Sequence, residues 1–389
     1  MRTIIIVMDS VGCGEMPDAG KFGDFNVNTL GHISESVGGL NMPNLQKMGL
    51  GNTTNILGVM PESNPNAYWG KMMEDSAAKD TTVGHWEITG VVTTHAFPVF
   101  STGFPKEVIE KIEKLTGRAV IGNKAASGTE IIKELGEEHV KTGALIVYTS
   151  ADSVLQVAAH EEVVPLKELY EICTIIREQV MVGEYAVGRI IARPFLGADA
   201  DDFKRTSNRR DFSLLPPEKT LLDYAKEAGY TVAAVGKIHD IFAGQGITES
   251  VHTVDNADSM QKTIDYINKV GDGIIFTNLV DFDMLYGHRR NPVGYANALE
   301  EFDSQVTGVL EAMREDDILF ITADHGNDPT YTRTTDHTRE YVPLIVWKKG
   351  CKGGSLGLRM SFADLGQTAA EDLKLKPLHK GVSFLDKIK

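Results

Sequence analysis

The chain has 389 residues, of which 42% are hydrophobic and 24% are charged, and its formal net charge is −15. This length is ample for two or three domains with a large core, and the composition is that of an ordinary globular protein. The negative charge argues against nucleic acid and anionic membranes as partners, so a phosphate substrate would need local cations to overcome it.

The cysteines and the N-terminus bear on the compartment. Cys13, Cys173 and Cys351 are widely spaced and form no CxxC motif, which indicates free thiols in a reducing cytoplasm. The apolar run at 3–8 is too short for a signal peptide, and no run approaches the roughly 18 residues of a membrane span. We therefore expect a cytoplasmic protein with no membrane partner and no obligatory protein partner.

The first and last parts of the chain alternate between predicted strands and helices. A β-branched run at 3–8 predicts a buried strand, and helices are expected over 28–37 and from Pro43. Later strands are expected at 231–235, 274–280 and 318–321, and later helices at 220–228, 259–270 and 296–313. This alternation predicts an α/β fold with a doubly wound, mostly parallel sheet.

Between these parts the pattern changes to that of an α+β insert. Helices are expected there at 106–116, 129–135 and 166–180, and strands at 119–121, 145–148 and 188–192. The boundaries are expected near residue 100 and near Pro216. This division gives a discontinuous core domain, 1–99 and 218–389, and an inserted cap domain, 100–217.

Six acidic and histidine side chains follow predicted strands of the core domain. In open parallel sheets ligands bind at the carboxyl ends of the strands, and carboxylates and imidazoles are metal-ligand types. Any one of these residues alone is more often a solvated loop residue or a helix cap. Together they exceed what one ion needs and suit two ions a few Å apart, as in phosphoryl transfer. The six residues are Asp9, Asp283, His288, Asp324, His325 and His337.

A polar stretch at 79–87 carries two candidate nucleophiles, Thr81 and Thr82. Its ordinary interpretation is a helix start with Thr as the N-cap. The alternative is a nucleophile at a helix N-terminus, where backbone N–H groups favour a phosphoryl group. A Thr hydroxyl is a weak nucleophile and needs a base or a metal ion to be ionised. Spacing alone does not distinguish Thr81 from Thr82.

The insert contains a basic cluster within an acidic chain. Such a cluster can be a solvated face, or it can bind phosphate through guanidinium forks that match phosphate oxygens. The residue pattern leaves both interpretations open. The cluster consists of Arg193, Lys204, Arg205, Arg209 and Arg210.

These motifs resemble the metal-binding motifs of the alkaline phosphatase superfamily and, in detail, those of the prokaryotic phosphopentomutase family. The resemblance covers essentially the whole chain, insert included. It is carried by Met8-Asp9-Ser10, Lys79-Asp80-Thr81, Gly84-His85-Trp86-Glu87, Tyr148-Thr149-Ser150-Ala151-Asp152-Ser153, Ile191-Ala192-Arg193-Pro194-Phe195, Asn278 to Arg290, Ala323-Asp324-His325-Gly326-Asn327 and Asp336-His337-Thr338.

The resemblance implies an active site. It assigns the phosphorylated nucleophile to Thr81 and implies two Mn²⁺ ions, one held by Asp9, Thr81, Asp324 and His325, the other by Asp283, His288 and His337. Mixed oxygen and imidazole ligation permits Mn²⁺ but does not by itself select it over Zn²⁺. The resemblance also places substrate-binding residues at Ser150, Asp152, Arg193, Arg205 and Lys237.

The implied reaction interconverts ribose 1-phosphate and ribose 5-phosphate, and the 2-deoxyribose forms, in nucleoside salvage. It runs through a phosphothreonine and a 1,5-bisphosphate, with glucose 1,6-bisphosphate or a similar bisphosphate as activator. The insert is expected to act as a lid that excludes water. A metal-dependent phosphatase or a phosphoglycerate mutase of the same superfamily is the nearer alternative, and a non-catalytic metal-binding protein is the farther one.

Overall fold

A computed structural model describes residues 1–150 and 153–388 of the chain. The chain divides into two compact units. The first, called the core unit below, combines residues 1–95 with 216–389, and the second, called the insert unit, comprises residues 96–215.

The described residues form fourteen strands and eleven α-helices. The strands are β1 (Arg2–Met8), β2 (Tyr68–Met72), β3 (Val120–Ala125), β4 (Leu145–Thr149), β5 (Val154–His160), β6 (Arg189–Leu196), β7 (Lys204–Arg205), β8 (Arg210–Ser213), β9 (Thr231–Val235), β10 (Glu249–Val251), β11 (Gly273–Leu279), β12 (Ile318–Thr322), β13 (Val342–Trp347) and β14 (Gly354–Arg359). The helices are α1 (Thr29–Val37), α2 (Pro43–Lys47), α3 (Thr81–Ile88), α4 (Lys106–Thr116), α5 (Gly128–Thr142), α6 (Leu166–Ile175), α7 (Leu221–Glu227), α8 (Ile238–Ile241), α9 (Asn256–Lys269), α10 (Pro292–Ala312) and α11 (Ala363–Asp372).

The core unit is organised by an eight-stranded sheet in the order β10-β9-β11-β1-β12-β13-β2-β14. The first five strands of this order pair in parallel. Strand β13 is antiparallel to both neighbours, and β2 and β14 are again parallel to each other. The sheet is therefore mostly parallel, and the α/β fold class predicted from the sequence is confirmed.

The central strands β1, β11 and β12 are buried along their whole length. Near-continuous apolar runs of this kind are typical of parallel strands that are covered on both faces. Met8 at the end of β1 lies beside Leu279 of β11, and Val7 lies beside Thr322 of β12. The segments that follow these three strands therefore leave the sheet at the same edge.

Helix starts in the core unit follow local capping signals. The Asn28 side chain accepts a hydrogen bond from the Gly31 amide at 3.1 Å and caps α1. Helix α10 starts at Pro292, after the capping residue Asn291, rather than at residue 296 as predicted. Asn followed by Pro at the first helical position is a start signal, which accounts for the longer helix.

The insert unit has its own sheet, in the order β3-β4-β5-β6-β7, with β8 pairing with β6. Strand β5 was not predicted, although it is fully buried. Its Gln156 and His160 interrupt the apolar run, and both are satisfied internally: Gln156 Oε1 accepts from Arg193 Nε at 2.9 Å, and His160 Nε2 lies 3.0 Å from the Gly197 carbonyl. The sequence pattern did not predict this strand because these buried, hydrogen-bonded polar residues interrupt its apolar run.

The helix predicted over 166–180 changes character inside that range. Helix α6 ends at Ile175, and Ile176–Val180 continues as a π-helical turn. Within the turn, the buried guanidinium of Arg177 donates to the carbonyls of Val187, at 2.7 Å, and Met181. Met181 is the C-cap of the turn and Val187 lies beyond it, so contacts with the following segment accompany the change of helical pitch.

All three cysteines are free thiols; Cys13 and Cys173 are buried and Cys351 is partly exposed. Within the described part of the chain, no helix has the length and apolar character required to cross a membrane.

Candidate metal centre and nucleophile

The ends of β1 and β12 bring three of the predicted ligands together. Ligand atoms of Asp9, Asp324 and His325 all lie within 4.8 Å of one another. His325 Nε2 is 3.4 Å from Asp9 Oδ1 and 3.4 Å from Asp324 Oδ2. The three side chains are almost completely buried. They form the first metal group.

The free oxygens of the first metal group fit a cation. Asp9 Oδ1 and Asp324 Oδ2 are buried and accept no hydrogen bond from the described residues. A buried carboxylate oxygen without a donor is costly, and a cation between two such oxygens removes that cost. His325 Nδ1 donates to the Gly326 carbonyl at 3.0 Å, so Nε2 is the nitrogen directed to the carboxylates. Two carboxylates and one imidazole are a suitable donor set for a divalent metal ion.

Thr81 is the first residue of α3, and its hydroxyl oxygen lies 3.2 Å from His325 Nε2. The expectation that a Thr caps this helix is wrong. Asp80 is the cap, and its Oδ1 accepts from the amides of Thr82 at 3.0 Å and Val83 at 3.2 Å. Because Asp80 satisfies the helix start, the Thr81 hydroxyl is available to the first metal group.

A second metal group consists of Asp283, His288 and His337. His288 Nε2 is 2.9 Å from Asp283 Oδ2 and 3.2 Å from His337 Nε2, which is 3.7 Å from Asp283 Oδ1. The backbone carbonyl of Thr335 accepts from His288 Nδ1 at 2.6 Å. This bond fixes the imidazole so that Nε2 faces the acid, as is usual for a metal-ligating histidine.

The two groups adjoin through His325. Ligand atoms of Asp283, His325 and His337 lie within 4.8 Å of one another, and the rings of His325 and His337 have centroids 4.0 Å apart. The structure therefore brings all six predicted ligands and Thr81 to one edge of the core sheet. Neighbouring donor sets of this composition suit a pair of divalent ions.

The charges within the two groups shift one another's ionisation. Burial alone lowers the pKa of His325, but the charges of Asp324 and Asp9 outweigh it and hold the pKa well above its usual range. Burial raises the pKa of Asp283, but His337 and its other imidazole neighbours bring it well below the usual value. A cation that binds here must displace protons from the imidazoles, so its affinity is expected to rise with pH.

Behind the first metal group lies a layer of polar contacts that the sequence analysis did not assign. His85 is fully buried; its Nδ1 donates to the Thr81 carbonyl at 2.9 Å and lies 3.1 Å from Asp324 Oδ2. Asn278 Nδ2 donates to Asp9 Oδ2 at 2.9 Å and to His85 Nε2 at 3.2 Å. The spacing of four residues between Thr81 and His85, on one face of a helix, is the signal that could have identified His85.

Two backbone features keep α3 and the β1 loop close to the metal ligands. Gly84 in α3 contacts the end of β12 so closely that a Cβ there would lie 2.1 Å from the Asp324 carbonyl oxygen. Ser10 has a φ of 71°, which is unfavourable for a residue with a side chain. Its amide donates to Asp324 Oδ1 at 3.0 Å, and its hydroxyl lies 2.8 Å from the Tyr295 hydroxyl.

The predicted substrate residues are divided between the two units. Lys237 belongs to the core unit, in the turn that follows β9. Arg193 in β6 and Arg205 in β7 line a cavity of about 550 Å³ in the insert unit, together with Lys204 and Arg209. Ser150 follows β4 in the insert unit. Asp152 lies outside the described residues.

The cationic cavity of the insert unit adjoins the start of α5. A Cβ at Gly128, the first residue of α5, would lie 2.7 Å from the Tyr148 hydroxyl oxygen and 3.4 Å from Arg205 Nη1. The Tyr148 hydroxyl is buried and has no hydrogen-bond partner among the described residues. Arg193 and Arg205 with a nearby helix N-terminus and an unpaired hydroxyl form a favourable environment for an anion.

Comparison with known proteins agrees with the metal-ligand chemistry of the site. The family model described as "Metalloenzyme superfamily" matches residues 1–377. A phosphopentomutase of Kosmotoga olearia is 58% identical over 389 residues, which is 100% of both chains. Phosphopentomutases of Alkaliphilus oremlandii and Caldanaerobacter subterraneus subsp. tengcongensis are 56% and 58% identical, covering 100% and 99% of this chain and 99% and 97% of theirs. Similarity of this extent shows that the chain belongs to the phosphopentomutase family of the metalloenzyme superfamily.

Proposed function

We propose that this chain is a phosphopentomutase that interconverts ribose 1-phosphate and ribose 5-phosphate, and the corresponding 2-deoxyribose phosphates. The observation that carries the proposal is the end-to-end similarity to proteins of that name, which extends through the insert unit. Function depends on the site rather than on the fold, and the insert is where specificity is expected to differ within the superfamily.

Thr81 is the proposed nucleophile. Its hydroxyl lies at the start of α3, 3.2 Å from His325 Nε2, and the carbonyl of the same residue accepts from His85. The backbone N–H groups at the helix start favour a phosphoryl group, and the helix fixes the hydroxyl relative to the metal ligands. Thr81 is thus held both through its side chain and through its backbone.

The first metal group together with Thr81 would hold one divalent ion, and the second metal group would hold another. We propose Mn²⁺ for both. When bound, such ions lower the pKa of the Thr81 hydroxyl and neutralise charge on the transferring phosphoryl group. The donors themselves are positioned by the protein: Asn278 orients Asp9, and the Thr335 carbonyl orients His288.

The proposed reaction has two transfers. In the first, the P–O bond of phosphorylated Thr81 breaks and a new P–O bond forms to the free hydroxyl of the pentose phosphate, which loses its proton while the departing Thr81 oxygen takes one up. This transfer gives a 1,5-bisphosphate and a free Thr81 hydroxyl. In the second, the other phosphoryl group of the bisphosphate moves to Thr81, and the isomeric monophosphate leaves. Glucose 1,6-bisphosphate, or a similar bisphosphate, would phosphorylate Thr81 initially.

The insert unit would bind the phosphate that is not being transferred. Support comes from the cavity lined by Arg193, Lys204, Arg205 and Arg209, which gathers positive charge in a chain with a net charge of −15. Guanidinium groups match phosphate oxygens in bidentate fashion. We further propose that Lys237 contacts a substrate phosphate as a point charge and that Ser150 and Asp152 contact the sugar.

The test is an isomerisation assay. Purified protein with Mn²⁺ and a trace of glucose 1,6-bisphosphate should convert ribose 1-phosphate to ribose 5-phosphate, and a Thr81→Ala variant should not. Release of inorganic phosphate without isomerisation would instead indicate a phosphatase, and turnover of phosphoglycerate alone would indicate a phosphoglycerate mutase. If neither turnover nor a labelled phosphothreonine is found, the chain is a metal-binding protein and the proposal is wrong.

A further inference from the structure

Arg290 contacts three segments that adjoin the second metal group. It follows His288 by two residues, is half-buried and has a φ of 52°, an unfavourable conformation for a residue with a side chain. Its five guanidinium N–H groups make six hydrogen-bond contacts, with three acceptors around Nη1, and every acceptor is a backbone carbonyl or side-chain amide oxygen. A strained backbone together with a fully hydrogen-bonded side chain indicates that this residue holds neighbouring groups in position.

The first set of contacts holds the loop that carries His337. Arg290 Nε donates to the Thr334 carbonyl at 2.9 Å, and Nη2 donates to the carbonyls of Thr334 and, at 3.1 Å, Asp336. These acceptors flank the Thr335 carbonyl, which accepts from His288 Nδ1. The guanidinium therefore fixes the segment that orients the His288 ring and immediately precedes His337.

The second set of contacts orients an amide beside Asp283. Arg290 Nη1 donates to Asn327 Oδ1 at 2.5 Å and to the Asp328 carbonyl at 3.1 Å. Since Oδ1 of Asn327 accepts from Arg290, its Nδ2 faces the other way and donates to Asp283 Oδ1 at 2.7 Å. The orientation of the Asp283 carboxylate thus depends, through one amide, on the same guanidinium.

The third contact ties the guanidinium to its own segment. Nη1 donates to the Gly287 carbonyl at 2.9 Å, at the end of the π-helical turn Phe282–Gly287, which contains Asp283. A side chain that donates to oxygens on three segments needs several N–H donors in one rigid plane. Arginine has five N–H donors in a fixed fork, whereas lysine has a single ammonium that cannot span these acceptors.

We propose that Arg290 is the positioning residue of the second metal group: it sets the mutual orientation of Asp283, His288 and His337 and so determines the affinity of that group for a divalent ion. The inference rests on the two-ion proposal made above. The first metal group has supports that do not involve Arg290, Asn278 on Asp9 and the Ser10 amide on Asp324, so we expect it to keep its affinity when Arg290 is replaced.

The test is a Mn²⁺ titration of metal-free protein by calorimetry, followed by elemental analysis of the metal-loaded protein. In Arg290→Ala we expect one of the two ions to lose about 10- to 100-fold in affinity, the usual effect of removing a support behind a metal ligand, while the other ion binds as in wild type. Arg290→Lys should bind the two ions with affinities close to those of Arg290→Ala. Arg289→Ala, which removes the exposed neighbouring arginine, is the matched control and should bind both ions normally.

The outcomes separate the two proposals. If wild type binds two ions and Arg290→Ala binds both with unchanged affinity, or loses both equally, Arg290 has no selective positioning role and the inference is overturned. If wild type binds one ion, the two-ion proposal fails first. A second measurement does not depend on the number of ions: amide hydrogen exchange of the metal-free protein should accelerate in 334–337 of Arg290→Ala, and unchanged exchange there would also overturn the inference.

Discussion

The nucleophile assignment leads to a prediction that separates chemistry from helix capping. Thr81→Ala removes the hydroxyl that lies 3.2 Å from His325 Nε2 but leaves the cap of α3 intact, because Asp80 supplies it. Loss of a covalent nucleophile lowers kcat by on the order of 10⁶-fold in enzymes where it has been removed, equivalent to about 8 kcal/mol. The free energy of unfolding should change by only about 0.5 kcal/mol, as for substitutions that touch no special feature.

Two companion variants calibrate this result. Thr82→Ala changes the neighbouring hydroxyl and should retain substantial isomerase activity. Asp80→Ala removes the acceptor for the Thr82 and Val83 amides and should lower the free energy of unfolding by about 1–2 kcal/mol. Stability is measured by urea unfolding of the metal-free proteins. Activity is measured as ribose 5-phosphate formed with Mn²⁺ and glucose 1,6-bisphosphate present.

The same series contains the result that would refute the reasoning. An active Thr81→Ala together with an inactive Thr82→Ala would move the nucleophile by one residue. If Thr81→Ala were inactive but also unfolded as readily as Asp80→Ala, the loss of activity would reflect a damaged helix start. Incorporation of labelled phosphate from the bisphosphate provides the independent readout, since it should be absent from Thr81→Ala and present in Thr82→Ala.

Three further predictions concern the substrate, the metal ions and pH. Arg205→Ala should raise KM and lower kcat, with a combined loss in kcat/KM of roughly 10- to 150-fold for one charge-assisted contact. The control is Arg210→Ala, because Arg210 lies outside the cavity. Equal kinetics in the two variants would mean that the basic cluster of the insert is a solvated face. Asp324→Asn and His337→Asn should each retain one ion per chain by elemental analysis, whereas two ions in both variants would contradict the two-site assignment. Burial lowers the pKa of His139, whose Nε2 accepts from the His160 amide at 2.8 Å. The neutral imidazole therefore stabilises the fold fully above its unfolded pKa of about 6.5 and loses that contribution as the pH falls below it. Between about pH 7.5 and 5.5 the Tm of the metal-free protein should decrease less in His139→Gln than in wild type. An equal decrease of Tm in both proteins would refute this prediction.

The sequence by itself determined the class of the fold and most of its elements. Strands such as Arg2–Met8 and Ile318–Thr322 can be recognised from local composition alone, because a strand that is covered on both faces is apolar at nearly every position. Strand–helix alternation then fixed a parallel sheet, and a parallel sheet places its carboxyl ends together. For this reason Asp9 and Asp324 could be proposed as neighbours although 315 positions separate their numbers in the chain.

Some elements escaped because their residues contradict the local pattern. Strand β13 contains Pro343, which argues against a central strand, yet β13 lies between β12 and β2. Strand β5 contains Gln156 and His160, whose partners are supplied by other segments. In both cases the tertiary environment stabilises a residue that the strand pattern alone would exclude.

The supports of the candidate site were decided only by the tertiary structure. The spacing of Asn278 and Arg290 gives no sign of their role as supports, because their contacts join segments far apart in the chain: Asn278 donates to Asp9, and Arg290 donates to the Thr334 carbonyl. Periodicity and spacing report which residue types lie near one another along one element. Which carboxylate oxygen is left without a donor, and which ring nitrogen faces it, depends on how the separate elements pack, and only the folded chain specifies that.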